Sequence, residues 1–112
     1  MRKTILLFLT LSFLISCSSN NYNEDFIGVW KNQKTISSTE KVTIEKADDN
    51  QLRLIIHKNR SRQTLLMEFT DENTIQSVQD IFGTKPIYKL IDEDGKTVLQ
   101  DYIMNYKFNK LN

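Results

Sequence analysis

The chain has 112 residues, enough for one small domain but not for two. Its 15 basic and 14 acidic residues nearly cancel, and a charge balance so close to zero argues against nucleic acid as a partner. Cys17 is the single cysteine, which excludes a disulfide within the chain.

The first element along the chain has the pattern of an export signal. Arg2 and Lys3 precede an uncharged apolar run over residues 4–15, and the small residue Ser16 follows. This order of segments is typical of secretory signal peptides, and the run is shorter than the ~20 residues that a membrane-spanning helix needs. We therefore predict that residues 1–16 are a signal peptide, whose removal changes the formal charge from +1 to −1.

Leu14-Ile15-Ser16-Cys17 resembles the lipobox of bacterial lipoproteins. The resemblance implies a diacylglycerol on the Cys17 sulfur, cleavage before Cys17 and acylation of the new amine, commonly with palmitate. Two or three acyl chains bind a bilayer stably, whereas one binds only reversibly. Ser18 replaces the Asp that retains such proteins in the inner membrane of enterobacteria-like cells, which favours the periplasmic face of the outer membrane. The alternatives are a soluble protein with a cleaved signal and an uncleaved anchor.

Residues 17–24 form the next segment. After Cys17 they are polar and rich in serine and asparagine, without hydrophobic periodicity. Segments of this composition bury too little apolar surface to fold and behave as flexible chains. We therefore predict a flexible tether over residues 17–24 and one folded domain over residues 25–112.

The folded domain opens with Gly28-x-Trp30. A Gly-x-Trp on the first strand is similar to the start of lipocalin-like barrels, in which the tryptophan plugs one end of the barrel. The rest of the lipocalin pattern is missing, and the chain is much shorter than a lipocalin. A core tryptophan beside a glycine that allows close approach is the alternative explanation. Under both interpretations Gly28 and Trp30 are structural residues.

Most of the domain alternates apolar and polar residues with a period of two, the pattern of strands with one buried face. The alternating stretches are 42–45, 52–57, 65–69, 88–90 and 102–108. Turn clusters lie between and beside them at 48–50, 59–61, 71–73, 83–86 and 92–95. The sequence therefore predicts an all-β fold, a small antiparallel up-and-down meander of six to eight strands that forms a closed or half-closed barrel.

Residues 74–82 allow two interpretations. Ile75, Val78 and Phe82 have helical spacing, and Asp71 could cap a short helix. A strand over residues 74–78 fits the meander equally well, and we favour the strand.

No residues in the sequence form a recognisable catalytic, metal or cofactor site. His57 is the single histidine and alternates out of the apolar face of its strand. The paired carboxylates lie in turns, where they solubilise the chain, rather than at fixed positions on strands. We therefore expect a protein that is not an enzyme and that uses no metal or cofactor.

The interior is expected to be filled by large side chains. The inward-facing candidates are Trp30, Leu54, Ile56, Met67, Phe69, Tyr102 and Tyr106. A domain this small has little stability to spare for an open cavity.

The charged turns sort by sign when they are placed at the ends of a meander. Turns near 35–39, 59–62 and 83–86 share one end, which carries Lys34, Lys58, Arg60, Arg62 and Lys85. Turns near 48–50, 71–73 and 92–95 share the other, which carries Asp48, Asp49, Asp71, Glu72, Asp92, Glu93 and Asp94. The tether leaves from the acidic end, so we expect the basic end to meet an acidic partner, with Lys58, Arg60 and Arg62 as candidate contacts.

We therefore predict a cell-envelope lipoprotein, bound to membrane lipid through acylated Cys17, that acts as a non-catalytic interaction module for a protein partner and not for nucleic acid. Two alternatives remain. One is a periplasmic inhibitor or immunity-type protein. The other, which the lipocalin-like resemblance implies, is a carrier of a small apolar ligand.

Overall fold

The structure is a computed structural model that describes residues 22–48 and 50–111. The predicted signal peptide, the lipobox with Cys17 and the first residues of the tether lie outside the described residues. Within the described residues, no helix has the length and apolarity needed to cross a membrane.

Eight antiparallel strands form a closed barrel in which each strand pairs with its neighbours in sequence and β1 pairs with β8. The strands are β1 Gly28–Asn32, β2 Thr39–Lys46, β3 Gln51–Lys58, β4 Arg62–Asp71, β5 Thr74–Ser77, β6 Ile87–Glu93, β7 Lys96–Asp101 and β8 Lys107–Leu111. This confirms the predicted all-β, up-and-down barrel. Because pairing of β1 with β8 leaves no open sheet edge, residues 22–111 contain every strand contact that the barrel requires.

Inward-facing side chains from all eight strands form the core, together with Phe26 from the short 3-10 helix Glu24–Phe26 that precedes β1. The largest of those fully buried are Trp30, Tyr88, Phe26, Phe108, Ile44, Leu52, Leu54, Met67, Ile75 and Leu99. The alternation of buried and less buried residues along β2 and β3 follows the period-two pattern of the sequence. At ~25 cal/mol per Å² of buried apolar surface, these side chains supply the main stabilising term.

Residues 74–82 begin as a strand, and the alternative of a helix over this segment is wrong. Thr74, Ile75 and Gln76 each pair with both β4 and β6, so the segment closes the sheet between them. Ile75 is buried, whereas Val78 and Phe82 are exposed. The three apolar residues therefore do not share the buried face that a helix would have required.

The prediction that Tyr102 faces the interior is wrong. The alternation over residues 102–108 indicates one strand, but the chain turns at 102–106 and a new strand, β8, begins at Lys107. Tyr102 lies in this turn and is 46% exposed. The turn forms because Asp101 Oδ1 accepts hydrogen bonds from the backbone N–H groups of Ile103 and Met104, and because Asn105 adopts a left-handed conformation with φ of 60°.

Candidate functional site

The topology divides the connections between strands into two groups at opposite ends of the barrel. The loops 33–38, 59–61, 78–86 and 102–106 form one end of the barrel, which we call the open end. We call closed end the one formed by the turns 47–50, 72–73 and 94–95 together with the entering segment Tyr22–Ile27.

The closed end is filled by the entering segment. Phe26 is fully buried, and Trp30 Nε1 donates a hydrogen bond to its carbonyl oxygen at 2.9 Å. The ammonium of Lys110 lies 5.3 Å from the centre of the Trp30 ring. Lys110 reaches this position beside Gly28, because a Cβ at Gly28 would lie 2.7 Å from Lys110 Cε. The Gly28-x-Trp30 pair thus shapes the closed end, and Trp30 is inaccessible to a partner.

The open end contains a cavity of about 340 Å³. Its lining residues come from the inner wall of the barrel and from three of the four loops; the apolar ones are Ile56, Leu65, Ile81, Phe82, Pro86, Tyr88, Ile103 and Met104. The expectation of a filled interior therefore holds for the closed half, whereas side chains leave space at the open mouth.

Most of the exposed apolar side chains lie on the loops of the open end, and Phe82, Ile103 and Met104 among them line the cavity. Eight large hydrophobic side chains are exposed in the described residues, and six of them lie on the open-end loops: Ile36, Val78, Phe82, Tyr102, Ile103 and Met104. Exposed apolar groups that gather in one place, rather than scattering singly, mark surfaces that contact a protein, a membrane or a ligand. We refer to these six residues as the apolar rim.

Phe82 is the most exposed member of the apolar rim, at 102%. It stands at the tip of a tight turn in which Ile81 N donates to Thr84 O at 2.6 Å and Thr84 N donates to Ile81 O at 3.1 Å. Phe82 and Gly83 have φ values of 53° and 84°, as a type I′ turn requires. A bulky aromatic residue is unfavourable in this conformation, so the fold holds an aromatic tip in solvent at a cost in stability.

A buried polar pair supports the opposite side of the rim. Asp101 lines the cavity and is buried, and its carboxylate accepts the hydrogen bonds of Ile103 N and Met104 N at 2.8 and 3.2 Å. The Tyr88 hydroxyl also donates to Asp101. Burial, together with the charge of Asp101 and this hydrogen bond, raises the pKa of Tyr88 well above its ordinary value of 10.0. The pair therefore fixes the loop that carries half of the apolar rim.

The three basic residues predicted to contact a partner do lie together. Lys58, Arg60 and Arg62 are exposed and line one polar cleft of about 310 Å³ on the β3–β4 hairpin, which we call the basic cleft. The remaining residues that line the basic cleft are Glu40, Lys41, His57, Asn59 and Ser61. Lys58 also lines the apolar cavity, so the two features adjoin.

His57 contributes little positive charge to the basic cleft. Its Nε2 lies 3.0 Å from Thr43 Oγ1. Partial burial first, and then the charges of Arg62 and Lys41, lower the pKa of His57, while Glu40 opposes this. The imidazole is therefore neutral near pH 7, and the positive potential of the cleft comes from the lysines and arginines.

The loops of the open end are mainly basic, as the sequence predicts. The open-end loops hold Lys34, Arg60 and Lys85, and Asp80 is the acidic side chain among them. Glu93 is an exception among the acidic residues predicted near the closed end, because its charge is paired. Its Oε2 forms an ion pair with Lys107 Nζ at 2.6 Å. Hydrogen bonds from Lys107 and Gln33 lower its pKa.

The open end places an apolar cavity beside the basic cleft. In residues 22–48 and 50–111, no three side chains among His, Cys, Asp and Glu are grouped to hold a metal ion. Asp101 and Tyr88 are occupied with each other and with the loop backbone. What the arrangement can do is bury an apolar group in the cavity and hold an anionic group at the adjoining basic cleft.

The apolar rim was missed from the sequence because its residues resemble strand and helix residues. Tyr102 and Met104 continue the alternation of β8, and Phe82 fits a helical spacing. Asp101 and Asn105 were the available signals, since aspartate and asparagine commonly bracket turns.

No family model, curated protein or solved structure matches the chain. The resemblances of Leu14–Cys17 to a lipobox and of Gly28-x-Trp30 to a lipocalin-like start therefore stay predictions.

Proposed function

We propose that this protein is a non-catalytic binding module of the cell envelope, anchored to the membrane through acylated Cys17, with the open end of the barrel as its binding face. The observation that carries the proposal is the concentration of exposed apolar side chains at this end, six of eight in the described residues. The basic cleft beside them gives the face a positive charge.

The tether supports the same assignment. Asn23 Nδ2 donates to Glu72 O at 2.8 Å, so the chain enters the barrel at the closed end. The anchor precedes this point in the sequence, so it attaches at the closed end. The open end lies at the opposite side of the barrel, where the apolar rim is free to make contacts.

A carrier of a small apolar ligand is the second candidate, and the cavity of about 340 Å³ favours it. Ligand pockets of about 300–1,000 Å³ commonly hold small molecules. Native mass spectrometry of the protein purified from the envelope tests this candidate, because a carrier would retain an added mass that denaturation releases.

Photo-crosslinking in intact cells tests the binding face. A photoreactive phenylalanine analogue at Ile103 places the probe on the apolar rim, and the same analogue at Asp94 places it on a closed-end turn. Thr64, exposed on the barrel wall, gives the background. The proposal predicts adducts from position 103 above those from positions 64 and 94. Adducts from position 94 alone, or equal yields at all three, would contradict it.

A further inference from the structure

We infer that the open end docks on the surface of a bilayer that contains anionic lipid. This inference names the partner of the binding face and rests on the function proposed above. The apolar rim would enter the interfacial region of the bilayer, while the basic residues beside it would contact lipid phosphates.

The apolar rim is made of separate tips. Its side chains come from three separate loops: Ile36 from the first, Val78 and Phe82 from the second, and Tyr102, Ile103 and Met104 from the third. The cavity opens at this end and is lined in part by residues of all three loops. A protein partner needs a contour that matches such separate tips closely, whereas a fluid bilayer accommodates each tip independently.

Phe82 is the most exposed of these tips. Its side chain is fully exposed at the tip of a turn closed by two backbone hydrogen bonds. An aromatic ring held this way needs no loop rearrangement to enter an interface, and aromatic side chains favour the headgroup level of a bilayer.

Basic residues lie beside these tips. Lys34, Arg60 and Lys85 lie on the open-end loops, and Lys58 and Arg62 flank them at the ends of β3 and β4. Asp80 and Glu40 are the acidic side chains that face this group. Basic residues that flank apolar tips match an anionic bilayer, in which phosphates lie above hydrocarbon, and such attraction weakens as salt rises.

Vesicle co-sedimentation tests the inference. The probe is the chain from Ser18 onward, which keeps the whole closed barrel but lacks Cys17. Phosphatidylcholine vesicles with and without phosphatidylglycerol are compared. We expect binding to the anionic vesicles, reduced by added salt, and at least roughly tenfold weaker binding to the neutral ones. Equal binding to both kinds of vesicle, or to neither, would overturn the inference.

Phe82→Asn is the variant that tests the apolar contact with the bilayer. Asparagine suits the left-handed position of the turn, so the melting temperature should stay the same or rise while vesicle affinity falls roughly tenfold. Leu66→Asn removes an exposed apolar side chain from the barrel wall instead. Should Leu66→Asn reduce vesicle binding as much as Phe82→Asn does, the apolar rim is not the contact.

Arg60→Glu/Arg62→Glu is the variant that tests the contact between the basic residues and anionic lipid. It should remove the preference for anionic vesicles, whereas Lys96→Glu/Lys46→Glu makes the same charge change on exposed residues beside the closed-end turns and should leave the preference intact. Crosslinks from Ile103 to a protein, combined with no vesicle binding, would overturn the bilayer inference while leaving the proposed binding face in place. Failure of both experiments would reject the binding face itself.

Discussion

The carboxylate of Asp101 accepts a hydrogen bond from the backbone N–H of Ile103 at 2.8 Å, and Ile103 stands on the apolar rim of the open end. The buried acid therefore fixes the loop whose exposed side chains form part of the binding face. Neither ion pair in the described part of the chain involves Asp101, so its charge is balanced by N–H and O–H donors alone.

Asp101→Ala should destabilise the barrel by about 1–3 kcal/mol, because it leaves the N–H groups of Ile103 and Met104 and the Tyr88 hydroxyl without an acceptor. Asp101→Asn keeps an acceptor oxygen and should cost less. Denaturant unfolding measures both values. Equal stability of Asp101→Ala and the unchanged protein would show that the carboxylate does not hold the loop.

Tyr88 should make the barrel sensitive to alkaline pH. Its pKa is raised in the folded state, so the folded protein keeps the phenol proton at pH values where the unfolded chain, near 10.0, has lost it. The contribution to stability is therefore fully present below pH 10 and is lost as pH rises toward the folded pKa. Tyr88→Phe removes the titrating group and should show a flatter decline of the unfolding free energy above pH 10. If Tyr88→Phe leaves the decline of the unfolding free energy unchanged, titration of other groups causes that decline.

Trp30→Ala should cost about 3–5 kcal/mol, because it truncates a fully buried aromatic ring and removes the hydrogen bond to Phe26 O. This is a large part of the stability of a small domain. Tyr102→Ala, at an exposed aromatic, should change stability by less than about 0.5 kcal/mol. A stable Trp30→Ala protein that loses only binding would place the site at the closed end instead.

Cys17→Ser should abolish lipid attachment, since Ser18–Glu24 offers no apolar segment that could insert by itself. Metabolic labelling with a palmitate analogue, followed by membrane fractionation, measures this. Label that persists on the Cys17→Ser protein would reject the lipoprotein interpretation.

The fold was predictable because strand alternation and turn residues agree over most of the domain. Leu52, Leu54 and Ile56 alternate inward, and Asp94-Gly95 forms the predicted hairpin turn. The alternation gave a wrong prediction where apolar residues lie on the surface. Tyr102 and Met104 keep the period of a strand but lie in a turn, because the side-chain bonds of Asp101 compete there with sheet pairing.

The candidate site was predictable in its charge but not in its shape. Turn parity alone brings Lys58, Arg60 and Arg62 to one end, and the structure places them in one cleft. The adjoining cavity could not be predicted, since it depends on how residues from separate loops and strands come together in the fold, and sequence periodicity carries no such information.

Hydrogen–deuterium exchange in the native membrane tests the binding face most directly. Exchange is compared between the acylated protein in envelope membranes and the chain from Ser18 onward in buffer. We expect slower exchange in membranes for the open-end loops 78–86 and 102–106, and unchanged exchange for the closed-end turns 72–73 and 94–95. Protection of the closed-end turns with no change in the open-end loops would contradict the proposed binding face.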